Sequence, residues 1–354
     1  MKKKIVSIVG ARPQFIKLSA LSKELRIDFE EVIIHTGQHF DNNMSNIFFE
    51  ELGISTPKFN LDVRSGSHGQ QTAEMLTELE YCLINEAPDL VIIFGDTNST
   101  LAGVLASSKL SQKTLHIEAG LRSFNREMPE EINRVASDHL SDFLFAPTDT
   151  AMTNLRNEGL IENSFLTGDI MVDSVLSNVD KAKENSTILE ALDVEEENYY
   201  LATLHRPYNV DQIDSLQNIL VEFQKLDSKV LFPIHPRTKK NIIENDISVG
   251  DNILLTDPFG YLDFLKLMGN SKKIITDSGG IQKEAYILHK PCITLRYETE
   301  WVETVNSGWN LLIKDSSKAE FSNRVLEFNP RGLPDSIYGQ DVSKKMVEII
   351  KTII

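Results

Sequence analysis

The sequence is poor in the residues that staple or metallate small folds: its 354 residues include two cysteines, Cys82 and Cys292, far apart in the chain. That excludes a disulfide scaffold, and no C-x-x-C or H-E-x-x-H is present to build a zinc site. No G-x-S-x-G marks a hydrolase nucleophile. Neither G-x-G-x-x-G after a strand nor G-x-x-x-x-G-K-[ST] occurs, so the usual nicotinamide and ATP loops are missing. Positive charge is scarce too, with 36 Lys and Arg against 52 Asp and Glu and a formal net charge of -16. Such a chain repels phosphate backbones, and no basic stripe with interleaved aromatics makes a local exception, which excludes nucleic acid as a partner. No apolar run reaches membrane-spanning length, so no membrane insertion is expected. The opening "MKKKIVSIVG" has a basic flank, but its apolar run is short and meets Arg12 and Pro13 at once. It reads as a buried strand rather than a secretory signal, and with the sparse cysteines this points to a reducing cytoplasm.

What is present is a 41% apolar chain, long enough for two cores. Short Val/Ile-rich runs alternate with longer helical patterns: "KIVSIVG", "EVIIHTG", "LVIIFGD", "TLHIEAG" and "DFLFAP", then "YYLATLH", "KVLFPIH", "NILLTD", "KIITDSG" and "CITLRYE". Continuous apolar strands separated by helices predict an α/β fold of parallel sheets covered on both faces, here in two sets of five strands. The polar stretch between the sets puts the boundary near residues 170 to 190. Residues 1–170 and 171–340 are taken as two Rossmann-like domains. The segment 341–354 has a helical apolar stripe and is expected to return to the first. "PDLVIIFGDTNSTLAG" and "KKIITDSGGIQKEA" echo each other as strand, Asp-hydroxyl turn and helix, which puts Asp96 and Ser278 at strand ends. Ligands of open α/β sheets bind at those ends.

Two groups of residues stand out. In "DSGG", Ser278, Gly279 and Gly280 open a helix whose N–H groups suit an anion, with Glu284 placed to accept from a ribose hydroxyl; a tight turn with a solvated glutamate is the alternative. Arg12 and Lys17 after the first strand, and His205, Arg206, His235 and Arg237 after later ones, would add cations. The second group is acidic: Asp96, Glu118, Glu130 and Glu131. Asp96 could equally cap the next helix, and "PEE" is a normal helix start. Glu118 ends an apolar strand before Ala-Gly and caps nothing. Arg122, Arg126 and Arg134 are near enough in sequence to pair with these acids. His116 and Glu118, two apart, would share a strand face, but no third metal ligand is in view and no metal is assigned.

"GARPQFIK", "HTGQH", "GDTNST", "HIEAGLRS", "MPEEINR" and "TDSGGIQKEA", in that order, resemble the non-hydrolysing UDP-N-acetylglucosamine 2-epimerases. The resemblance covers nearly the whole chain. It implies the GT-B arrangement, two Rossmann-like domains facing across a cleft, in a homodimer that needs no cofactor. It implies that Arg12, His205, Ser278, Gly279, Gly280 and Glu284 hold UDP, and that Asp96, Glu118 and Glu130 are the catalytic carboxylates. His205 is counted with the catalytic set, near the phosphates, while Lys17, Arg134 and Arg296 join the substrate-binding residues. Three stretches depart from the commonest family pattern: "HRPYN" for His-Arg-Arg-Glu-Asn, "ETEWVE" with Trp301 and Val302 for Arg-Pro, and "SGSHGQQT" without Arg-Gln-Thr. Those positions help form an activating second substrate site in several bacterial members, so such activation is not implied here. "GARPQFIK", "GLRSFNREMPEEINR" and "ETEWVE" are closer to the branch acting on UDP-2,3-diacetamido-2,3-dideoxyglucuronate.

The chemistry expected of such a family follows from the sugar. The C2 hydrogen is not beside a carbonyl, so a base alone forms no stabilised carbanion. The remaining route removes that proton as UDP leaves C1, giving a 2-acetamidoglucal, and re-adds UDP with a proton delivered to the opposite face. Two acid–base groups on opposite faces and an anion cradle for UDP meet the need, and domain closure would bring them together. A GT-B glycosyltransferase and a nucleotide-sugar sensor are the readings from other classes.

Overall fold

A computed structural model describes residues 2–38, 49, 51–63, 66–314 and 321–354; His39 of "HTGQH" and Ser65 of "SGSHGQQT" lie outside them. The chain divides into two compact units, residues 1–174 with 336–354, and 175–335.

The first unit is built on a seven-stranded sheet in the order β3-β2-β1-β4-β5-β6-β7. Its strands are β1 (Lys4–Val9), β2 (Glu30–His35), β3 (Phe59–Asn60), β4 (Leu90–Phe94), β5 (Thr114–Ile117), β6 (Phe143–Ala146) and β7 (Ser164–Leu166). The second has six, ordered β10-β9-β8-β11-β12-β13. These are β8 (Tyr199–Thr203), β9 (Lys229–Pro233), β10 (Ile253–Thr256), β11 (Lys273–Thr276), β12 (Cys292–Thr294) and β13 (Asn310–Leu312). Neighbouring strands pair in parallel. The α/β class expected from the alternation is thus the one found. The count of five per sheet is corrected: β3, β7 and β13 are two or three residues long and sit at sheet edges, too short to stand out as central strands.

Every residue of β4 is buried, and β1 and β5 are buried from their second and first residues on, because helices cover both faces. Helix Arg12–Asp28 starts directly after β1, with Pro13 in its first turn. Proline is tolerated there because its missing N–H has no intrahelical partner. Gln14 ties this helix start to the sheet, accepting from Gly10 N (2.8 Å) and donating to the Phe94 carbonyl (2.8 Å). Helix Val342–Ile353 packs on helix Arg12–Asp28, and its Val342, Met346, Val347 and Ile350 are buried as a helical stripe. Asp173 fastens its start by accepting from Ser343 N at 2.7 Å.

Candidate active site

Two turns at adjacent strand ends carry the acidic residues of the first unit. β4 and β5 are paired, and Gly95 N bonds the Ile117 carbonyl at 3.0 Å where they end. Asp96 follows Gly95; Glu118 follows β5 at φ +75, a left-handed conformation rare for a residue with a Cβ, and its N–H bonds the Phe145 carbonyl at 3.1 Å. Each carboxylate faces a cation from a different helix. Glu118 pairs with Lys17 of helix Arg12–Asp28, both nearly buried. Asp96 pairs with Arg134 of helix Pro129–Leu140, with Arg134 Nε at 3.2 Å, and keeps 30% of its side chain exposed. Burial opposes ionisation of Asp96, but Arg134 first, and then Lys17 and His116, hold its carboxyl below the ordinary range. Both sites therefore present carboxylates with partners that favour the charged form.

The neighbouring acids divide the work differently. Glu131 accepts from Ser123 N, Ser123 Oγ and Phe124 N, each at 2.9 Å, and from Arg134 at 3.0 Å. It is a loop anchor that also orients Arg134. Glu130 is partly exposed in the first turn of the same helix, where a negative charge meets the positive end of the dipole. Arg122 serves neither candidate: it pairs with Asp138 (2.7 Å) and Glu158 (2.7 Å).

In the second unit β11 runs into helix Gly279–Ile287, with Ser278 as its N-cap residue. The Ser278 hydroxyl does not cap the helix. A Cβ at Gly279 would meet the Glu300 carboxylate, so a larger residue there must push that side chain away; a Cβ at Gly280 would meet nothing within 4 Å. The cradle is thus walled on one side and open on the other. Glu284, buried, lies four residues after Gly280 and hence on the same helix face. Arg296 is buried and committed to Glu300 at 2.9 Å. His205 Nδ1 lies 2.8 Å from Asp277, leaving its ring about half exposed beyond β8. Arg12 belongs to the first unit, partly exposed at the start of its helix.

A family model described as UDP-N-acetylglucosamine 2-epimerase matches residues 22–351. The chain belongs to the UDP-N-acetylglucosamine 2-epimerase family. It is 52% identical over 357 residues to a "UDP-N-acetylglucosamine 2-epimerase homolog" of Methanococcus maripaludis, covering 99% of this chain and 100% of that one. It is 47% identical over 318 residues to the UDP-2,3-diacetamido-2,3-dideoxy-D-glucuronate 2-epimerase of Pseudomonas aeruginosa, covering 88% of each. Among solved structures it is similar to the Methanocaldococcus jannaschii UDP-GlcNAc 2-epimerase in complex with UDP-GlcNAc and UDP. The TM-score is 0.90 at 42% identity, over 99% of this chain and 100% of that one.

For this UDP-N-acetylglucosamine 2-epimerase family member, the structure gathers Asp96, Glu118, Lys17 and Arg134 in the first unit. Ser278, Gly279, Gly280, Glu284, Arg296 and His205 lie in the second. His235 takes the bland role: its ring caps helix Pro236–Glu244, accepting from Arg237 N at 3.2 Å. The shared strand face of His116 and Glu118 is a correction, because β5 ends at Ile117 and Glu118 turns away at positive φ. Sequence reasoning missed Asp277 and Asp138. Both are fully buried, and each collects donors from segments distant in the chain. The only hint was an ionisable residue inside or beside an apolar strand, which must bury its partner with it.

Proposed function

We propose that this protein inverts C2 of a UDP-2-acetamido sugar, interconverting UDP-N-acetylglucosamine and its manno epimer, by elimination and re-addition of UDP through a 2-acetamidoglucal. The observation that carries the reading is the pair Asp96 and Glu118 at adjacent strand ends, each opposed by its own cation. A carboxylate poised as a base must be ionised at rest, and Arg134 and Lys17 favour that state. One of the pair, ionised, takes the C2 proton as the C1–O bond to UDP breaks; the other, once it has taken up a proton from solvent, delivers that proton to the opposite face as UDP returns to C1, and the first releases its own to solvent. Glu130, at its helix start, is the third acid of the set. The nucleotide half is assigned to the second unit. The N-terminus of helix Gly279–Ile287 and His205 take the diphosphate, and Glu284 takes the ribose. Arg12 adds a cation for UDP. Arg296 acts through Glu300, holding it against Gly279.

Incubation with UDP-N-acetylglucosamine in D2O tests this. Deuterium at C2 of both epimers is the expected result; a glycosyltransferase without acceptor and a sensor leave C2 protonated, and such an outcome would overturn the reading. The 47% identity to the Pseudomonas aeruginosa enzyme favours a second substrate, the UDP-2,3-diacetamido uronate, for the same reaction. Running both sugars in parallel decides between them by kcat/KM.

A further inference from the structure

A buried bridge spans the two turns that carry Asp96 and Glu118. His116, inside β5 and fully buried, places Nε2 at 2.7 Å from the Gly95 carbonyl, the residue before Asp96. Its Nδ1 lies 2.7 Å from Asp138 Oδ1, and the other oxygen of Asp138 accepts from Gly120 N at 3.0 Å, two residues after Glu118. Arg122 completes the set at 2.7 Å from Asp138, and Glu158 secures Arg122. Both partners of the ring are acceptors, an arrangement that suits the imidazolium, which donates from both nitrogens. The Glu118 turn is unusual: Glu118 carries a Cβ yet has φ +75, whereas Gly95 and Gly120, at +62 and +81, adopt positive φ without that cost. Such backbone persists where surrounding contacts over-determine it.

We infer that His116, held by Asp138, is a positioning residue for the epimerisation: it fixes the spacing of the Asp96 and Glu118 turns and supplies positive charge behind Asp96. The inference rests on the proposed epimerase reading. It is distinct from a plain buried ion pair because it couples to chemistry in two ways. Displacement of the carboxylates by about 1 Å costs on the order of a hundredfold in rate. The charge effect acts on protonation. Around Asp96 stand Arg134, with Glu131 behind it, on helix Pro129–Leu140; Lys17, with its partner Glu118, on helix Arg12–Asp28; and His116 in β5. Burial works against ionisation of Asp96, Arg134 and Lys17 favour it, and His116 adds to them. Removing the imidazolium therefore raises the pH at which Asp96 ionises.

The test is His116→Gln, which keeps a donor for the Gly95 carbonyl but carries no charge. The expected result is kcat for C2 deuterium exchange down by about tenfold to a hundredfold, with KM and UDP affinity nearly unchanged. The acid limb of the kcat profile should move to higher pH. Should that variant not fold, Asp138→Asn keeps the shape and an acceptor for the ring, and the same displacement, smaller, is expected. A folded variant with undiminished kcat, or with lower kcat but an unmoved acid limb, reduces the bridge to a structural ion pair. If the unaltered protein exchanges no C2 proton, the epimerase reading falls and the bridge's role with it. Exchange by the unaltered protein alongside normal behaviour of His116→Gln sinks the bridge alone.

Discussion

The two sheets place an aspartate at the same topological point and surround it in opposite ways. β4 lies between β1 and β5, and β11 between β8 and β12; Asp96 follows the first strand by two residues and Asp277 follows the second by one. Asp96 keeps a third of its side chain in solvent and shares it with one arginine side chain. Asp277 is fully buried and accepts from His205 N, Arg206 N and Asn209 Nδ2, at 3.1, 2.9 and 2.9 Å, besides the His205 ring. A carboxylate whose lone pairs are claimed by neighbouring backbone and side-chain donors cannot act on a substrate. It ties the β8 loop to the β11 turn, and in the proposed reading the phosphates fall to the glycines that follow. Position in the fold thus nominates a residue, and the donors around it decide whether it is reagent or clamp.

The comparison breaks most visibly at Asp277. Asp277→Ala leaves several buried donors without an acceptor and the His205 ring without its partner, a loss of about 3 kcal/mol or more. The unfolding transition of the second unit should drop by roughly 6 to 12 °C in scanning calorimetry. A clamp of this kind also has a pH signature. Burial disfavours the charged form, but His205, Asn209 and the Arg206 N–H overcome it, so the folded carboxyl ionises below its ordinary value. Its stabilisation is present above the ordinary carboxyl range and lost as pH falls through the lower folded value, and the Ala variant should lack that acid loss. A transition that does not move would mean that Asp277 holds nothing. At the reagent end, Asp96→Asn and Glu118→Gln preserve shape and remove the basic lone pair. C2 exchange should fall by on the order of a hundredfold or more, with melting behaviour and UDP affinity retained. Parent-rate exchange in either variant returns that residue to the role of helix neighbour or ion partner.

Much of this was legible beforehand, for a physical reason. Central parallel strands must be apolar on both faces, so β1, β4, β5, β8 and β11 declare themselves as Val/Ile runs, and the turns after them inherit the candidates. Edge strands such as Phe59–Asn60 need only a neighbour's free edge, and no run marks them. Partner choice was also hidden. Nothing near Asp277 in sequence announces Asn209, and nothing near His116 announces Asp138, because those contacts are made by segments that meet only in the fold. Among the arginines after Glu118, Arg134 faces Asp96 while Arg122 turns to Asp138 and Glu158, a division set by helix phase and tertiary packing.

The smallest effect sharpens the contrast from the nucleotide side. Glu284 shares helix Gly279–Ile287 with the cradle and is buried, while the donors to Asp277 come from the β8 loop. If it accepts from a ribose hydroxyl, Glu284→Ala removes one charge-assisted hydrogen bond and leaves that hydroxyl with a poorer partner. UDP affinity in calorimetry should weaken by about 1 to 3 kcal/mol, with the thermal transition of the second unit moving much less than in Asp277→Ala. The two variants then separate along different axes: one loses the fold around the cradle, the other loses the ligand from an intact cradle. Unchanged affinity would remove Glu284 from the nucleotide site. A large loss of stability would instead place it with Asp277 among the residues that hold the turn.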